Sequence, residues 1–162
     1  MDQYSRVDFA ESLARLSTKS GNPLPTDLML SSSGVVSLSQ QGITIGGHTI
    51  NHPILSEVTD EQARYEISEG RAQLEGLIQS RVENFAYPNG VRGKDFDVRH
   101  ERIVRAAGFR SAVTTHWGAS NKATRFTSIP RFTPWDKDPY KFALRLVLNM
   151  KRTQIPELEC GR

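Results

Sequence analysis

Ile43-Thr44-Ile45-Gly46-Gly47-His48-Thr49-Ile50-Asn51-His52-Pro53 is the stretch on which the reading of this chain turns. Ile43-Thr44-Ile45 has the β-branched composition of a short buried strand. Gly46 and Gly47 then let the backbone bend as it leaves that strand. His48 and His52 stand four positions apart, so a single helix-like turn between them brings two imidazoles onto one ion. Pro53 biases His52 away from the α region and ends the turn there. A histidine pair of this kind also fits two hydrogen-bonded residues with no metal. Two ligands fall short of the three that a catalytic zinc takes beside its water. A metal reading therefore requires a third donor.

Outward from this segment, helical and extended spacing alternate. Phe9, Leu13 and Leu16 give Val7 to Leu16 helical spacing, ended by Gly21, Pro23 and Pro25. Ser31-Ser32-Ser33 caps a short helix carrying Val35, Val36 and Leu38, which Gly42 stops. Downstream, Thr59 and Gln62 form a capping-box pattern, with Asp60 and Glu61 in the first turn. Ala63, Ile67, Gly70, Leu74 and Leu77 keep to one face of that helix. Arg81 to Phe85 reads as a strand entering the turn Tyr87-Pro88-Asn89-Gly90. A helix follows over Val98 to Ala107, with Gly108 as its stop, and then a strand over Phe109 to Thr115. Ile129 to Phe132 reads as extended, and Tyr140 to Met150 as a last helix. This alternation has the spacing of βα units and predicts an α/β fold with a largely parallel sheet.

The chain has 162 residues, the size of one ordinary domain, and 37% of them are hydrophobic. No apolar run is long enough to cross a bilayer. Met1 to Ser20 is polar and charged, without the features of a secretory signal, which leaves the compartment open, with the cytoplasm as the default. Cys160 is the single cysteine, which excludes an intrachain disulfide or a cysteine-based zinc ribbon. The formal charge of +3 is too small to predict nucleic acid as a partner. Arg92, Lys94, Arg99, Arg102, Arg105 and Arg110 are read as a solvated helix face and its flanks, in preference to a phosphate-binding patch.

Three separated segments resemble the polysaccharide deacetylases of the NodB-homology type, carbohydrate esterase family 4. They are Ile45 to Pro53, Phe85-Ala86-Tyr87-Pro88-Asn89-Gly90, and Ala107-Gly108-Phe109 ahead of Ala112-Val113-Thr114-Thr115. Pro130 to Asp136 is similar to the end of the domain in some members, and the likeness runs from about Pro25 to about Tyr140. The resemblance implies a distorted (β/α) barrel that removes N- or O-acetyl groups from a carbohydrate polymer with a divalent metal, usually zinc. It maps two metal ligands onto His48 and His52, and the hydroxyl of the His-Ser/Thr-x-x-His motif onto Thr49, which would brace the turn. The backbone N–H of Asn89 becomes the oxyanion donor, and Tyr87, Pro88, Arg131 and Trp135 become groove wall. Ala86 stands where the family usually has an arginine.

The departures shape the expected activity. No Thr-Phe-Asp-Asp type strand, source of the family's base and third ligand, precedes His48. Asp8 and Asp27 are single acids in the wrong context. No Leu-x-His motif supplies the general acid, because His100 and His116 stand in other surroundings. The expectation is a partial barrel lacking its first strand or strands: an insert-like helical segment over 1–24, a partial deacetylase domain over 25–150, and a polar tail over 151–162. An upstream polypeptide would supply the missing strands, and the chain alone would be weakly active or inactive. The alternative is a non-catalytic carbohydrate-binding or scaffold remnant of the same fold.

Overall fold

A computed structural model describes residues 29–133 and 135–152, together with Glu11, Arg15, Ser17 and Lys19. Asp8, Asp27 and Cys160, with most of the segments 1–24 and 151–162, lie outside the described residues. Helix α1 spans Ser32–Gln40, and the Ser31 hydroxyl accepts the Gly34 N–H at its start. Gly42, at φ 84°, turns the chain out of it.

Helix α2 spans Asp60–Ile78 and opens with the capping box read from the sequence. The Thr59 hydroxyl accepts the Gln62 N–H at 3.3 Å, and the Gln62 side chain accepts the Thr59 N–H at 3.1 Å. Ala63, Ile67 and Gly70 are its buried stripe, with Leu74 and Leu77 half-buried beyond them. Gln79 ends the helix in the left-handed region at φ 51°.

Strands β1 (Asn84–Ala86) and β2 (Ser111–Val113) pair in parallel, with Phe85 opposite Ala112. Parallel pairing needs a crossover, which helix α3 (Val98–Ala106) provides. Gly47 bridges β1 on one side and Ile129 bridges β2 on the other, both in parallel. Four extended segments therefore lie side by side, although two of them touch their neighbour at one bridge each. Helix α4 (Pro139–Met150) closes the described chain, capped by Asp138.

Several boundaries differ from the expectation. Ile43-Thr44-Ile45 is not a strand, and Ile43 is exposed. Its segment joins β1 through the single residue Gly47, which donates to Asn84 O at 2.8 Å and accepts from Ala86 N at 2.9 Å. β1 begins at Asn84 instead of Arg81 because Val82 bonds to helix side chains. Its N–H donates to Glu75 and its carbonyl accepts from Arg71, both at 2.9 Å.

Gly46 and Gly47 also serve a different purpose from bending, since neither has a positive φ. A Cβ on Gly47 would stand 2.8 Å from Phe109 Cζ, and one on Gly46 would stand 3.2 Å from Asn84 O. The glycines let the incoming segment lie flat on β1. The core fills the space between the sheet and the helices α2 and α3. Tyr87 stacks on Phe96 with centroids 3.7 Å apart, and Phe85 packs on Phe109 at 5.1 Å.

Candidate metal centre

Thr49 lies at φ 62° and His52 at φ 56°, so the histidine turn is built from two left-handed residues instead of a helical turn. That conformation costs about 1–3 kcal/mol per residue outside glycine, and a β-branched threonine adopts it rarely. Its persistence means that the surroundings over-determine it. The Thr49 hydroxyl donates to His48 O at 2.5 Å and accepts the His52 N–H at 3.1 Å. One side chain thus ties both histidine backbones together.

The larger brace is Glu66, which nothing in the sequence reading singled out. It lies buried on the inner face of α2. Oε2 accepts the N–H groups of Ile50 and Asn51 at 2.9 and 2.8 Å, and Oε1 accepts the Asn51 side-chain amide at 2.7 Å. These are charge-assisted bonds to consecutive backbone donors, a strong way to fix a loop. Gly70, one helical turn further, lets the turn approach. A Cβ there would meet Thr49 C at 3.3 Å.

The result brings the two imidazoles face to edge, with centroids 4.8 Å apart and planes at 76°. Both side chains are exposed. His48 Nδ1 lies 2.7 Å from Ala86 O. A carbonyl only accepts, so Nδ1 carries the proton, and in the neutral ring the lone pair then sits on Nε2. This is the tautomer that a neutral histidine ligand needs, oriented by a backbone carbonyl. Imidazole nitrogen is among the donor types that zinc takes. Among the described residues no group of three or more His, Cys, Asp or Glu side chains gathers to hold a metal.

β1 runs from Ala86 straight into the second motif. Asn89 has φ 55°, and Gly90 N donates to Pro88 O at 2.6 Å, which is a tight three-residue turn. The Asn89 N–H meets no acceptor among the described residues. Thr115 anchors the turn, its hydroxyl donating to Asn89 O at 2.7 Å and its N–H to Gly90 O at 3.0 Å. Tyr87 and Pro88 are buried, so their side chains do not present a groove surface. Tyr87 is 1% exposed and its hydroxyl donates to Thr127 O at 2.9 Å. Burial, and next the Glu101 carboxylate, hold that phenol well above its ordinary range.

Arg131 and Trp135 are both exposed, Trp135 at 82%. His100 is buried in α3, where its Nδ1 accepts the Asp97 N–H at 3.0 Å. Burial holds its pKa below the ordinary 6.5 against the pull of Asp97. His116 accepts the Arg92 N–H through Nε2 at 3.0 Å. Both histidines are thus spent on backbone.

Parallel strands with the polar turns gathered after their C-terminal ends define an α/β protein, and that end of the sheet is where such folds place a ligand. The polysaccharide deacetylase family model matches residues 24–112, and the chain belongs to that family. Solved structures agree on the fold. The Streptococcus pyogenes deacetylase PplD, in complex with acetate, is similar with a TM-score of 0.66 and 20% identity, over 74% of this chain and 51% of that one. A polysaccharide deacetylase from Bacillus cereus gives 0.57 and 21%, over 67% of this chain and 33% of that one. IcaB from Ammonifex degensii gives 0.55 and 18%, over 78% and 56%. The chain thus spans from a third to somewhat over half of these relatives' length. No curated protein matches the sequence significantly.

Proposed function

We propose that this chain carries the histidine side of a metal-dependent deacetylase that hydrolyses N- or O-acetyl groups on a carbohydrate polymer. The observation that carries the reading is the histidine pair, with rings 4.8 Å apart and the His48 tautomer fixed by Ala86 O. His48 and His52 would hold the metal, zinc by the resemblance. When bound, such a metal acts as a Lewis acid on the acetyl carbonyl and makes water nucleophilic near neutral pH. Thr49 and Glu66 keep the two rings together. The open Asn89 N–H donates to the oxygen that gains charge as the acetyl carbon becomes tetrahedral. Tyr87 and Pro88 act by holding that turn, while Arg131 and Trp135 are assigned to the groove's outer wall.

The described side of the centre supplies two protein donors where catalytic zinc takes three. The third ligand and the base are assigned to strands that complete a distorted barrel around the 25–150 unit, supplied by an upstream polypeptide. The chain alone should then bind zinc weakly and release little acetate. Zinc titration of the purified chain, with acetate release from an acetylated chito-oligosaccharide, tests this. Weak binding lost in His48→Ala, with little turnover, is the expected result. Robust chelator-sensitive turnover would refute the incomplete centre. Indifference to zinc would favour a carbohydrate-binding scaffold without chemistry.

A further inference from the structure

A second site adjoins the first at the same end of the sheet. After β2 the chain continues through Thr114-Thr115-His116-Trp117, and Thr115 and His116 are bonded to the Asn89 turn and to Arg92. Beyond them a cavity of about 350 Å³ opens between Trp117, Phe132 and helix α4. Trp117 and Phe132 meet edge to face at 5.4 Å, and Leu144 and Leu148 line the helix side. This is an amphipathic platform of the kind that receives the flat face of a ring.

Part of its polar equipment is unspent. Asn149 lines the cavity, is 6% exposed, and donates through its amide nitrogen to Gly118 O at 3.2 Å. Its Oδ1 is buried with no hydrogen-bond partner among the described residues. A buried acceptor left so costs free energy, which a ligand hydroxyl would recover once the side-chain amide turns toward the cavity. Asp136 is already ion-paired with Arg145. Lys141 and Arg152 also line the cavity, and neither side chain forms an ion pair among the described residues, Asp136 being taken by Arg145.

The geometry points to a subsite for a sugar residue bearing an anionic group, carboxylate or phosphate, beside the acetyl-binding turn. The ring stacks on Trp117, one hydroxyl donates to Asn149 Oδ1, and the anion takes Lys141 and Arg152. This assignment rests on the carbohydrate reading above but not on the metal.

Isothermal titration calorimetry of the full chain at low salt tests it with four probes: a uronic-acid tetrasaccharide, a hexosamine phosphate, neutral chitotetraose and inorganic phosphate. An anionic saccharide should bind at least about tenfold more tightly than the neutral one, the worth of one charge-assisted hydrogen bond. Whichever of the uronate and the phosphate binds more tightly identifies the source of the charge. Lys141→Ala with Arg152→Ala should abolish the preference, and Trp117→Ala should weaken every saccharide. Equal affinity for neutral and anionic saccharides would overturn the proposal. So would inorganic phosphate binding as tightly as the anionic saccharides, or a preference that survives the double variant. The anionic preference should persist when a chelator is present throughout, so failure of the metal reading is seen separately.

Discussion

In the proposed centre, His48 works because Ala86 O holds the far side of its ring at 2.7 Å. The residue that holds the turn itself is Glu66, which places a carboxylate under two consecutive N–H groups. Glu66→Gln keeps the shape but removes the charge and one acceptor. It should lower zinc affinity by about tenfold or more, the usual cost of losing an outer-shell partner, with His48→Ala as the reference for full loss. A competition assay with a chromogenic chelator reads both. Unchanged affinity in Glu66→Gln would show that the turn holds its own shape. The histidines, Thr49 and the Asn89 turn were legible from local motifs. Glu66 was not, because its role depends on which face of a distant helix meets the turn, and its spacing resembles any other polar helix residue.

Elements make their own demands. α2 approaches the histidine turn at Gly70, and the segment before the turn lies on Phe109 at Gly47. Gly47→Ala puts a methyl 2.8 Å from an aromatic ring within the core. It should cost about 1–3 kcal/mol by overpacking, measured by urea denaturation, and Phe109→Leu should recover part of that loss. No recovery would mean that the backbone, and not Phe109, sets the limit.

α3 carries a pH signature. His100 is buried with a pKa below 6.5, so the unfolded chain binds the extra proton first as pH falls. Stability should be full above about pH 7.5 and decline as pH drops through 6.5 toward the folded value, with a slope of at most about 1.4 kcal/mol per pH unit. His100→Gln keeps the capping pattern and should flatten that part of the curve. An unaltered slope would assign it to other groups. Helix starts were the most legible elements, since Ser31 and Thr59 cap where their side chains can reach. Strand edges were less so. Ile43-Thr44-Ile45 has strand composition, but pairing is decided by neighbours, and only Gly47 bridges to β1.

At the scale of the whole molecule, the described residues leave apolar surface uncovered. α4 exposes Tyr140 at 85%, Met150 at 62% and Leu144 at 60%, while Asn149 is its buried residue. A helix apolar on most sides is expected to find a covering. The outer sides of Gly47 and Ile129 add extended backbone that no second strand lines among the described residues. The purified chain should therefore associate with rising concentration by light scattering, and Leu144→Glu with Met150→Glu should shift it toward monomer. A monodisperse monomer at all concentrations would show that the helix face is tolerated in water. The α/β class and βα order followed from patterning. The extent of the barrel did not, because closure depends on strands that a local pattern does not count.

The most direct test measures zinc by calorimetry on the full chain at neutral pH, wild type beside His48→Ala and His52→Ala. One weakly held ion per chain, lost in both variants, is the predicted result. No detectable binding, or binding that either substitution leaves intact, would contradict a centre shared by these two rings.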